Sequence, residues 1–498
     1  MSWRSYSNFF SRFTHLNAIA AWPRESVESI SLLLHGSMGM LRKLSRASSD
    51  PLLTSRFINY AESRRLSSGG PHLPPWGPVS ALDEWVAKEA RPISIRQLMV
   101  FGRFLSEPRL IRSANYVRTE LPRRLAHRIR DIQTLPYVVV TNPYISQVFE
   151  LYYRAFETLR RVQEIQNLEG NKVFCETIRE TLDEHLEVIP KLAMGILECR
   201  DLMKQQDLDM FMNTILRSRI SRRVIAEQHI ALTQTFNLRQ RPAFPTTQSR
   251  SDAVGEVFPK CNVSTLIQRC MAVVSAICSA SYGPSVTLPK VKIKGHVTAT
   301  FPYILTHLEY VIGELLRNSI QATIEAHKFR EEPPPIEVTI CETHLHVTIR
   351  MSDRGGGIDP DVHSYLWSFS KGPRSVQIMD NLSRVPRMAA TLQELRISTP
   401  WEKINPLNPT GSIPTPSLKS VYEDGNSLDL GSLSNLSERP ANLRLGMGLP
   451  LSRVYAEYWA GSLDLHSLDG YGTDVFLGIS KLGNRNEQVS TRARMDAL

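Results

Sequence analysis

Apolar residues recur at helical spacing through the first half of the chain. Between about Ile93 and Asn237 they lie three to five residues apart, which predicts helices with one buried face. Prolines predict the helix ends: Pro122, Pro136 and Asn142-Pro143. Four long helices with short connections predict an up-and-down four-helix bundle over residues 86–240.

The second half changes to an alternating pattern. Residues 335–341 and 344–350 carry β-branched residues at every second position around a short polar turn, which predicts an antiparallel hairpin. A helical pattern precedes them over Tyr303–His327, and a helix and strands follow over Leu449–Leu482. We therefore expect a second, α+β domain at residues 255–482, in which helices cover one face of a mixed sheet.

Other segments carry neither pattern. Residues 31–85 include a stretch rich in Gly, Pro and Ser and predict a poorly ordered segment and linker. Residues 374–442 are dense in Ser, Pro, Asn and Gly, which predicts a lid enlarged by a disordered insertion. Residues 483–498 predict a polar tail.

The first 30 residues have the composition of a mitochondrial transit peptide. No acidic residue occurs from Met1 to Trp22, where Arg4 and Arg12 lie among serines and aromatic residues. Such a segment predicts delivery to the mitochondrial matrix. A frayed N-terminal helix of the folded domain is the alternative.

Composition excludes several classes of protein. With 42% hydrophobic residues and a net charge of +10 from 59 basic and 49 acidic residues, the chain is globular and is not a dedicated nucleic-acid binder. The six cysteines form no CxxC pair, so neither disulfides nor a zinc site is predicted. No uninterrupted apolar run reaches the length of a membrane span, so we expect a soluble protein.

Candidate chemistry begins on the helix around residue 314. Glu314, Asn318 and Gln321 share one face, because residues four and seven apart stack along a helix. An asparagine carbonyl can bind Mg²⁺, and a carboxylate one turn away can accept a proton. A solvated helix face is the alternative for these residues alone.

Three glycine-rich motifs follow. Asp353, Gly355 and Gly357 come directly after a predicted strand, where the carboxylate could accept a hydrogen bond from adenine, although a strand-ending turn is equally consistent. Residues 446–449 open a helix, whose N-terminus suits phosphate. Gly472-Thr473 leads into the last strand and by itself indicates only a hairpin.

The order of the four motifs resembles the N, G1, G2 and G3 boxes of the GHKL ATP-binding fold, which gyrase, Hsp90, histidine kinases and MutL share. No GxxxxGK(S/T) loop of the Walker type is present. The fold class implied is α plus α+β: an N-terminal four-helix bundle followed by a GHKL-type α/β-sandwich ATP-binding domain.

From about Ile93 to Leu482, apart from the insertion, the chain resembles the mitochondrial kinases of pyruvate and branched-chain 2-oxo-acid dehydrogenase complexes. Stretches that carry the likeness begin at Ser113, Asn142, Arg217 and Gly295. The resemblance implies a homodimeric serine kinase that uses ATP and Mg²⁺, docks on a lipoyl domain and phosphorylates the decarboxylase component of the complex.

The resemblance also implies residue roles. Glu314 would be the general base, Asn318 the Mg²⁺ ligand and Asp353 the adenine acceptor. Further residues would contact the nucleotide: Arg317, Gln321, Gly355, Gly357, Ser370, Gly446, Met447, Gly448, Leu449 and Thr473. A basic stretch would line an effector pocket known in some members, or would be a solvated helix face: Arg124, His127 and Arg128.

Departures from the family pattern leave alternatives open. Tyr310, the strand ending GTDVFL and the missing Asp-Trp tail lean toward the branched-chain kinase, although the pyruvate complex stays open. A GHKL ATPase acting on another client is a second reading, although only a short tail follows the last strand. A histidine kinase would need an acidic residue after His229, and a pseudokinase that binds the complex without phosphotransfer is supported only by Arg444 and the insertion.

Overall fold

The computed structural model describes residues 80–239, 253–283, 286–328, 332–370, 372, 375–388, 391 and 444–489. The predicted transit peptide, residues 1–30, lies outside the described residues, as does most of the predicted insertion. The segment expected to be poorly ordered up to residue 85 ends in a short helix, α1 (Ser80–Val86). Part of the predicted lid is also helical, over Ser375–Ser383.

Helices fill the first half of the described chain, as the apolar spacing predicts. After α1 they are α2 (Ile95–Arg103), α3 (Glu107–Gln133), α4 (Tyr137–Val140), α5 (Pro143–Arg160), α6 (Leu168–Glu184), α7 (Val188–Glu198) and α8 (Gln205–Arg239). A 3₁₀ turn at His185–Glu187 joins α6 to α7. Helix α3 packs against α5, α6 and α8, and α5 packs against α7.

The helix end predicted at Pro122 was wrong. Pro122 lies inside α3 and is buried, although a proline inside a helix costs about 3 kcal/mol through its missing N–H and its ring. The helix continues because the residues before and after the proline are buried: Leu121 and Leu125 are 4% and 1% exposed. Burial along the whole helix outweighs the local preference of one residue.

The second half is a mixed sheet with helices. Its elements are β1 (Val257–Asn262), α9 (Val263–Tyr282), β2 (Val291–Gly295), β3 (Thr300–Ile304), α10 (Leu305–Ala326), β4 (Ile336–Glu342), β5 (His346–Ser352), α11 (Pro360–His363), α12 (Ser375–Ser383), α13 (Gly448–Tyr458), β6 (Ser462–Leu468) and β7 (Gly472–Ser480). Five strands pair in the order β2-β4-β5-β7-β6, and β1 pairs with β3.

The predicted hairpin is confirmed. Strands β4 and β5 are antiparallel, with Ile340 opposite Ile349. The sheet is mixed because β2 runs parallel to β4, whereas β7 runs antiparallel to both of its neighbours. This register brings the ends of β5 and β7 side by side, with Ser352 opposite Asp474.

One helix of the described chain, α9, is long and apolar enough to cross a membrane by length and composition alone. It has a mean hydropathy of 1.5, and 39% of its apolar window is buried. Within the described chain it packs along α10, and Leu266, Ile267 and Cys278 belong to the core. The core helix of a folded domain passes the same test, so this single helix is weak evidence for a span.

Residues 483–489 are the described part of the predicted polar tail. They return to the helical half, where Gly483 O accepts from Arg96 N at 2.9 Å. Glu487 is only 3% exposed. Its buried partners come from distant parts of the chain, so local composition gave no sign of them.

Candidate active site

Glu314 lies on α10 and faces the glycine segment that opens α13. Its side chain is 16% exposed, and its Oε1 lies 4.0 Å from Arg317 Nη1. A Cβ added to Gly448 would overlap Glu314 Oε2. The first and third motifs therefore meet, and a hydroxyl that approaches the carboxylate can lose its proton to it.

Asn318 lies one turn after Glu314 and is half-buried. Its side chain makes no hydrogen bond to any residue that the structure describes. Such an amide oxygen, beside a carboxylate, suits Mg²⁺. Among the described residues no group of three His, Cys, Asp or Glu is placed to hold a metal ion, so a cation here would take further ligands from a nucleotide and from water.

Asp353 follows the end of β5 and is 5% exposed. Its Oδ1 accepts hydrogen bonds from the backbone N–H of Gly355 at 2.9 Å and of Thr473 at 3.3 Å. Burial raises the pKa of Asp353, while these donors and the side chain of Ser319 on α10 oppose the rise. The Asp353 carboxylate thus connects the second motif with Ser319 on the helix of the first motif and with Thr473 of the fourth.

Two glycines of the second motif lie where a side chain has no space. A Cβ on Gly355 would overlap Ala322 of α10, and one on Gly357 would overlap the carbonyl oxygen of Leu468. Gly357 also has a φ of +80°, which residues with a side chain rarely adopt. The loop can therefore approach α10 and β6 closely only with glycine at these positions.

The third motif leaves the N-terminus of α13 available. Gly446 has a φ of +68°, and within the described chain Met447 at the N-cap makes no side-chain hydrogen bond to the first turn. Uncapped amides at a helix start favour phosphate. Met447 is buried and Leu449 half-buried. Gly446 and Met447 also line a small cavity together with residues of α7 and α12.

Gln321 and Arg317 lie deeper than their neighbours on α10. Gln321 is 6% exposed and Arg317 is 9% exposed, and both interact with other groups of the protein. The pattern placed Gln321 on the same open face as Glu314 and Asn318, but only the latter two are half-buried. Of the three residues predicted to share an open face of α10, Glu314 and Asn318 are therefore partly accessible, whereas Gln321 is buried.

Ser370 was predicted to contact the nucleotide, but the structure places it elsewhere. It is 0% exposed, and its hydroxyl donates to Asp209 Oδ1 on α8 at 3.2 Å. The same oxygen accepts from Ser368 Oγ at 3.0 Å and Phe369 N at 2.8 Å. Ser370 anchors the segment before the lid to the helical half, because a buried hydroxyl needs a partner.

Arg444, which departs from the glycine of the family motif, pairs with Glu325 at the end of α10. Asn381 of α12 donates to the Arg444 carbonyl oxygen at 2.8 Å. Arg387, in the described first part of the lid, pairs with Asp183 of α6 at 2.7 Å. The described residues at the two ends of the lid are thus tied to α10 and to the helical half.

The basic stretch on α3 is not a solvated face. Arg124 and Arg128 are each 2% exposed, and only His127 is half-buried. Burial lowers the pKa of His127, although a hydrogen bond to the Lys88 carbonyl oxygen opposes this. The alternative of a solvated helix was wrong for both arginines, because α8 covers this side of α3.

A buried cationic cluster lies where α3, α5 and α8 meet. Arg222 lies 4.3 Å over the ring of Tyr152, and its Nη1 and Nη2 have no hydrogen-bond partner among the described residues. Burial lowers the pKa of Arg128, which pairs with Asp131 at 3.1 Å. Burial and then Arg222 lower the pKa of His185 well below its usual value. An unsatisfied buried guanidinium favours an anion.

His229 is structural. Its Nδ1 lies 3.1 Å from Ser113 Oγ and its Nε2 2.9 Å from Asn171 Oδ1. It is 0% exposed, and burial lowers the pKa of His229 to about 4. A histidine closed off in this way is unsuited to accept a phosphoryl group, which agrees with the acidic neighbour missing from the sequence.

Several residues at this site carried no sequence signal. Ser319 lies under Asp353, and Asp209 holds the segment before the lid. Arg222 lies next to the predicted basic stretch in space but on another helix. Motif spacing finds residues that are close along the chain, whereas Ser319, Asp209 and Arg222 interact with residues that are distant in sequence.

Comparisons with known proteins cover both halves. A family model described as mitochondrial branched-chain alpha-ketoacid dehydrogenase kinase matches residues 92–258. The Saccharomyces cerevisiae pyruvate dehydrogenase (acetyl-transferring) kinase 2, mitochondrial, is 31% identical over 81% of this chain and 84% of its own. An Arabidopsis thaliana relative named pyruvate dehydrogenase (acetyl-transferring) kinase, mitochondrial, is 28% identical over 82% and 96%. The human isozyme 4 of the same name is 26% identical over 79% and 82%.

Proposed function

Because this chain belongs to the family of mitochondrial 2-oxo-acid dehydrogenase kinases, we propose that it phosphorylates a serine in the decarboxylase component of the pyruvate dehydrogenase complex. The chain is a mitochondrial protein kinase that uses ATP, as its likeness to the yeast relative over most of both chains shows. The relatives named above are pyruvate dehydrogenase kinases. Their names do not favour the branched-chain complex, toward which Tyr310 and the missing Asp-Trp tail leaned.

The observation that carries this proposal is the position of Glu314 against Gly448. Phosphates held by the first turn of α13 would lie beside the Glu314 carboxylate. Glu314 then takes the proton of the serine hydroxyl while the serine oxygen bonds to the γ-phosphorus of ATP and ADP leaves. Positioning and one base are what phosphoryl transfer requires from a protein.

Asn318 and Asp353 would orient the nucleotide. The Asn318 side chain bonds to no residue that the structure describes, and its amide oxygen suits Mg²⁺, which when bound would neutralise charge on the phosphates. Asp353 would accept a hydrogen bond from the adenine amino group, since its carboxylate is already oriented by Gly355 and Thr473. The glycines of the second motif would allow the base to lie close to the backbone.

The domain organisation is part of the proposal. Residues 86–240 would form the four-helix bundle and residues 255–482 the GHKL domain, with a lid at 374–442 and a transit peptide at 1–30. The packing of α3 against α5, α6 and α8 supports the bundle. The order of the four motifs around α10 supports the GHKL fold. By family resemblance the kinase would act as a homodimer docked on a lipoyl domain.

We also propose that the cluster around Arg222 binds a small anionic effector. Among the described residues Arg222 Nη1 and Nη2 have no hydrogen-bond partner. Together with the positive charge of Arg128 nearby, they favour a carboxylate. In the family a pocket beside this basic stretch of α3 takes an allosteric ligand. A 2-oxo acid carries the matching charge.

The test uses the purified chain, Mg²⁺, labelled ATP and, separately, the decarboxylase components of the pyruvate and branched-chain complexes. We expect labelled serine on the pyruvate component. Glu314→Gln should abolish transfer but keep nucleotide binding, because the amide cannot accept the proton. Glu309→Gln is the matched control, since Glu309 lies on the same helix but pairs with Arg269 of α9.

Each other outcome removes one part of the proposal. Label on the branched-chain component alone would overturn the substrate. Transfer that survives Glu314→Gln would overturn the base. Nucleotide binding without transfer to either component would favour the pseudokinase.

A further inference from the structure

The segment after β7 joins the sheet to the helical half of the protein. Gly483 O accepts from Arg96 N at 2.9 Å, and Glu487 N donates to Ile93 O at 2.9 Å. Between these bonds Asn486 bridges to Ser94. The segment therefore pairs along the chain just before and at the start of α2, in the manner of an added strand.

Glu487 carries a buried carboxylate with partners from three directions. Its Oε1 lies 2.7 Å from Arg124 Nη2 and accepts from Ile93 N at 3.1 Å. Its Oε2 accepts from Arg124 Nη1 at 3.2 Å and from the hydroxyl of Tyr458. The residue is 3% exposed, so water contributes little to this network.

Arg124 connects the carboxylate to the helical half. It projects from α3, and its Nη1 donates to the carbonyl oxygen and hydroxyl of Ser221 on α8. Its Nη2 donates to Arg91 O at 2.8 Å. Burial lowers the pKa of Arg124, but Glu487 and other acidic neighbours more than reverse this and keep the guanidinium charged.

Tyr458 connects the carboxylate to the proposed nucleotide site. It is the last residue of α13, and its carbonyl oxygen accepts from Gln488 N at 2.9 Å. Its ring lies 6.4 Å from that of His307 on the first turn of α10. The opposite end of α13 carries Gly448, and α10 carries Glu314.

We propose that Glu487 is a positioning residue, which sets the two helices of the phosphate site against each other and against the helical half. The inference rests on the proposed function, because it assigns the nucleotide to the start of α13. Without the carboxylate Arg124 would keep Glu120, Ser221 and the Arg91 carbonyl oxygen, whereas the hydroxyl of Tyr458 would lose its acceptor Glu487 and its link to Arg124. The end of α13 would shift, and the distance from Gly448 to Glu314 with it.

A purely structural role makes a different prediction. A buried ion pair adds little net stability by itself, whereas removal of one partner leaves an uncompensated charge and destabilises the fold. Such a loss lowers the melting temperature and leaves nucleotide affinity unchanged well below it. A positioning role changes affinity in protein that is still folded.

The experiment compares Glu487→Gln, Tyr458→Phe and the double variant in the full chain. Tyr458→Phe keeps the ring against His307 and removes only the hydroxyl, so it serves if Glu487→Gln does not fold. Gln488→Ala is the control, because its side chain is exposed. Calorimetric titration with ATP and Mg²⁺ gives the dissociation constant, and transfer assays separate KM for ATP from kcat.

We expect each single variant to raise the dissociation constant and the KM for ATP by about tenfold, within the usual range for coupled sites. The double variant should be no worse than either, because both changes break one link. Affinities within twofold of the wild type, with only a lower melting temperature, would overturn the inference. They would leave the proposed function intact, whereas a wild-type chain that binds no nucleotide would overturn both.

Discussion

Gly448 lies directly against the carboxylate of Glu314 at the proposed site. A Cβ there would overlap Glu314 Oε2. We expect Gly448→Ala to displace the carboxylate and lower phosphotransfer about a hundredfold, the usual scale for loss of general base catalysis. Transfer assays and circular dichroism would separate this effect from unfolding.

Gly313→Ala is the matched control for Gly448→Ala. A Cβ at Gly313 would meet no heavy atom within 4 Å. Alanine in a helix interior is favoured over glycine by about 0.5–1 kcal/mol, so this variant should be active and slightly more stable. Equal activity in the two variants would refute the proposed contact between Glu314 and the third motif.

His229 gives the fold a dependence on pH. In the unfolded chain the imidazole titrates near its ordinary value of about 6.5, whereas burial lowers the pKa of His229 to about 4 in the fold. As pH falls between these values, the unfolded chain binds a proton that the folded chain does not. The free energy of unfolding should therefore fall by about 2 kcal/mol from pH 7 to pH 5 on account of this residue.

Urea unfolding of the wild type and of His229→Gln at both pH values tests this contribution. The variant should be less stable at pH 7, because it loses part of the contacts to Ser113 and Asn171. Its stability should fall less on acidification. Identical pH dependence in the two proteins would show that His229 is not the group responsible.

At this scale the sequence predicted residues whose partners lie in neighbouring motifs. Glu314 lies against Gly448 of the third motif, and Asp353 accepts a hydrogen bond from Thr473 of the fourth. Ser370 was misassigned, because its partner Asp209 lies on a helix that local pattern does not connect to it. A serine hydroxyl can donate to a phosphate or to a carboxylate equally well. Only the fold shows that the Ser370 hydroxyl donates to Asp209.

Among the elements, α3 and α8 bring Arg128 and Arg222 together in a buried cationic cluster that neither helix forms alone. Arg222→Met should raise the free energy of unfolding by about 1–4 kcal/mol in the absence of anions, since an apolar side chain replaces a buried, unsatisfied charge. Pyruvate or 4-methyl-2-oxopentanoate should raise the melting temperature of the wild type and not of this variant.

Arg154→Met serves as the control on α5. Arg154 is 62% exposed and pairs with Glu184 at 3.4 Å, so its loss should change stability by less than about 1 kcal/mol. Thermal unfolding with and without each acid gives the comparison. A wild type that responds to neither acid would contradict the effector site.

Element type was predictable, and element ends were less so. The hairpin of β4 and β5 and helix α10 follow from alternation and helical spacing. Pro122 did not end α3, because tertiary burial outweighs a local rule. Likewise, no pattern on one helix reveals which of its charged faces another helix will cover.

Both halves of the described molecule contribute to one large core, beside a small second cluster of Leu110, Leu232 and Phe236. A continuous cluster of buried residues runs from Leu82 in the helical half to Ile479 in β7. We expect one cooperative thermal transition, with equal calorimetric and van't Hoff enthalpies. Scanning calorimetry with circular dichroism and tryptophan fluorescence would check it, and two separate transitions would contradict a shared core.

Arg124 and Glu487 are 363 residues apart. A chain is made from its N-terminus, so the helical half exists for some time before its buried arginine can meet this carboxylate. During that interval we expect it to bind chaperones and to be open to proteases. Incomplete translation products should therefore be degraded instead of accumulating as inactive competitors for the complex.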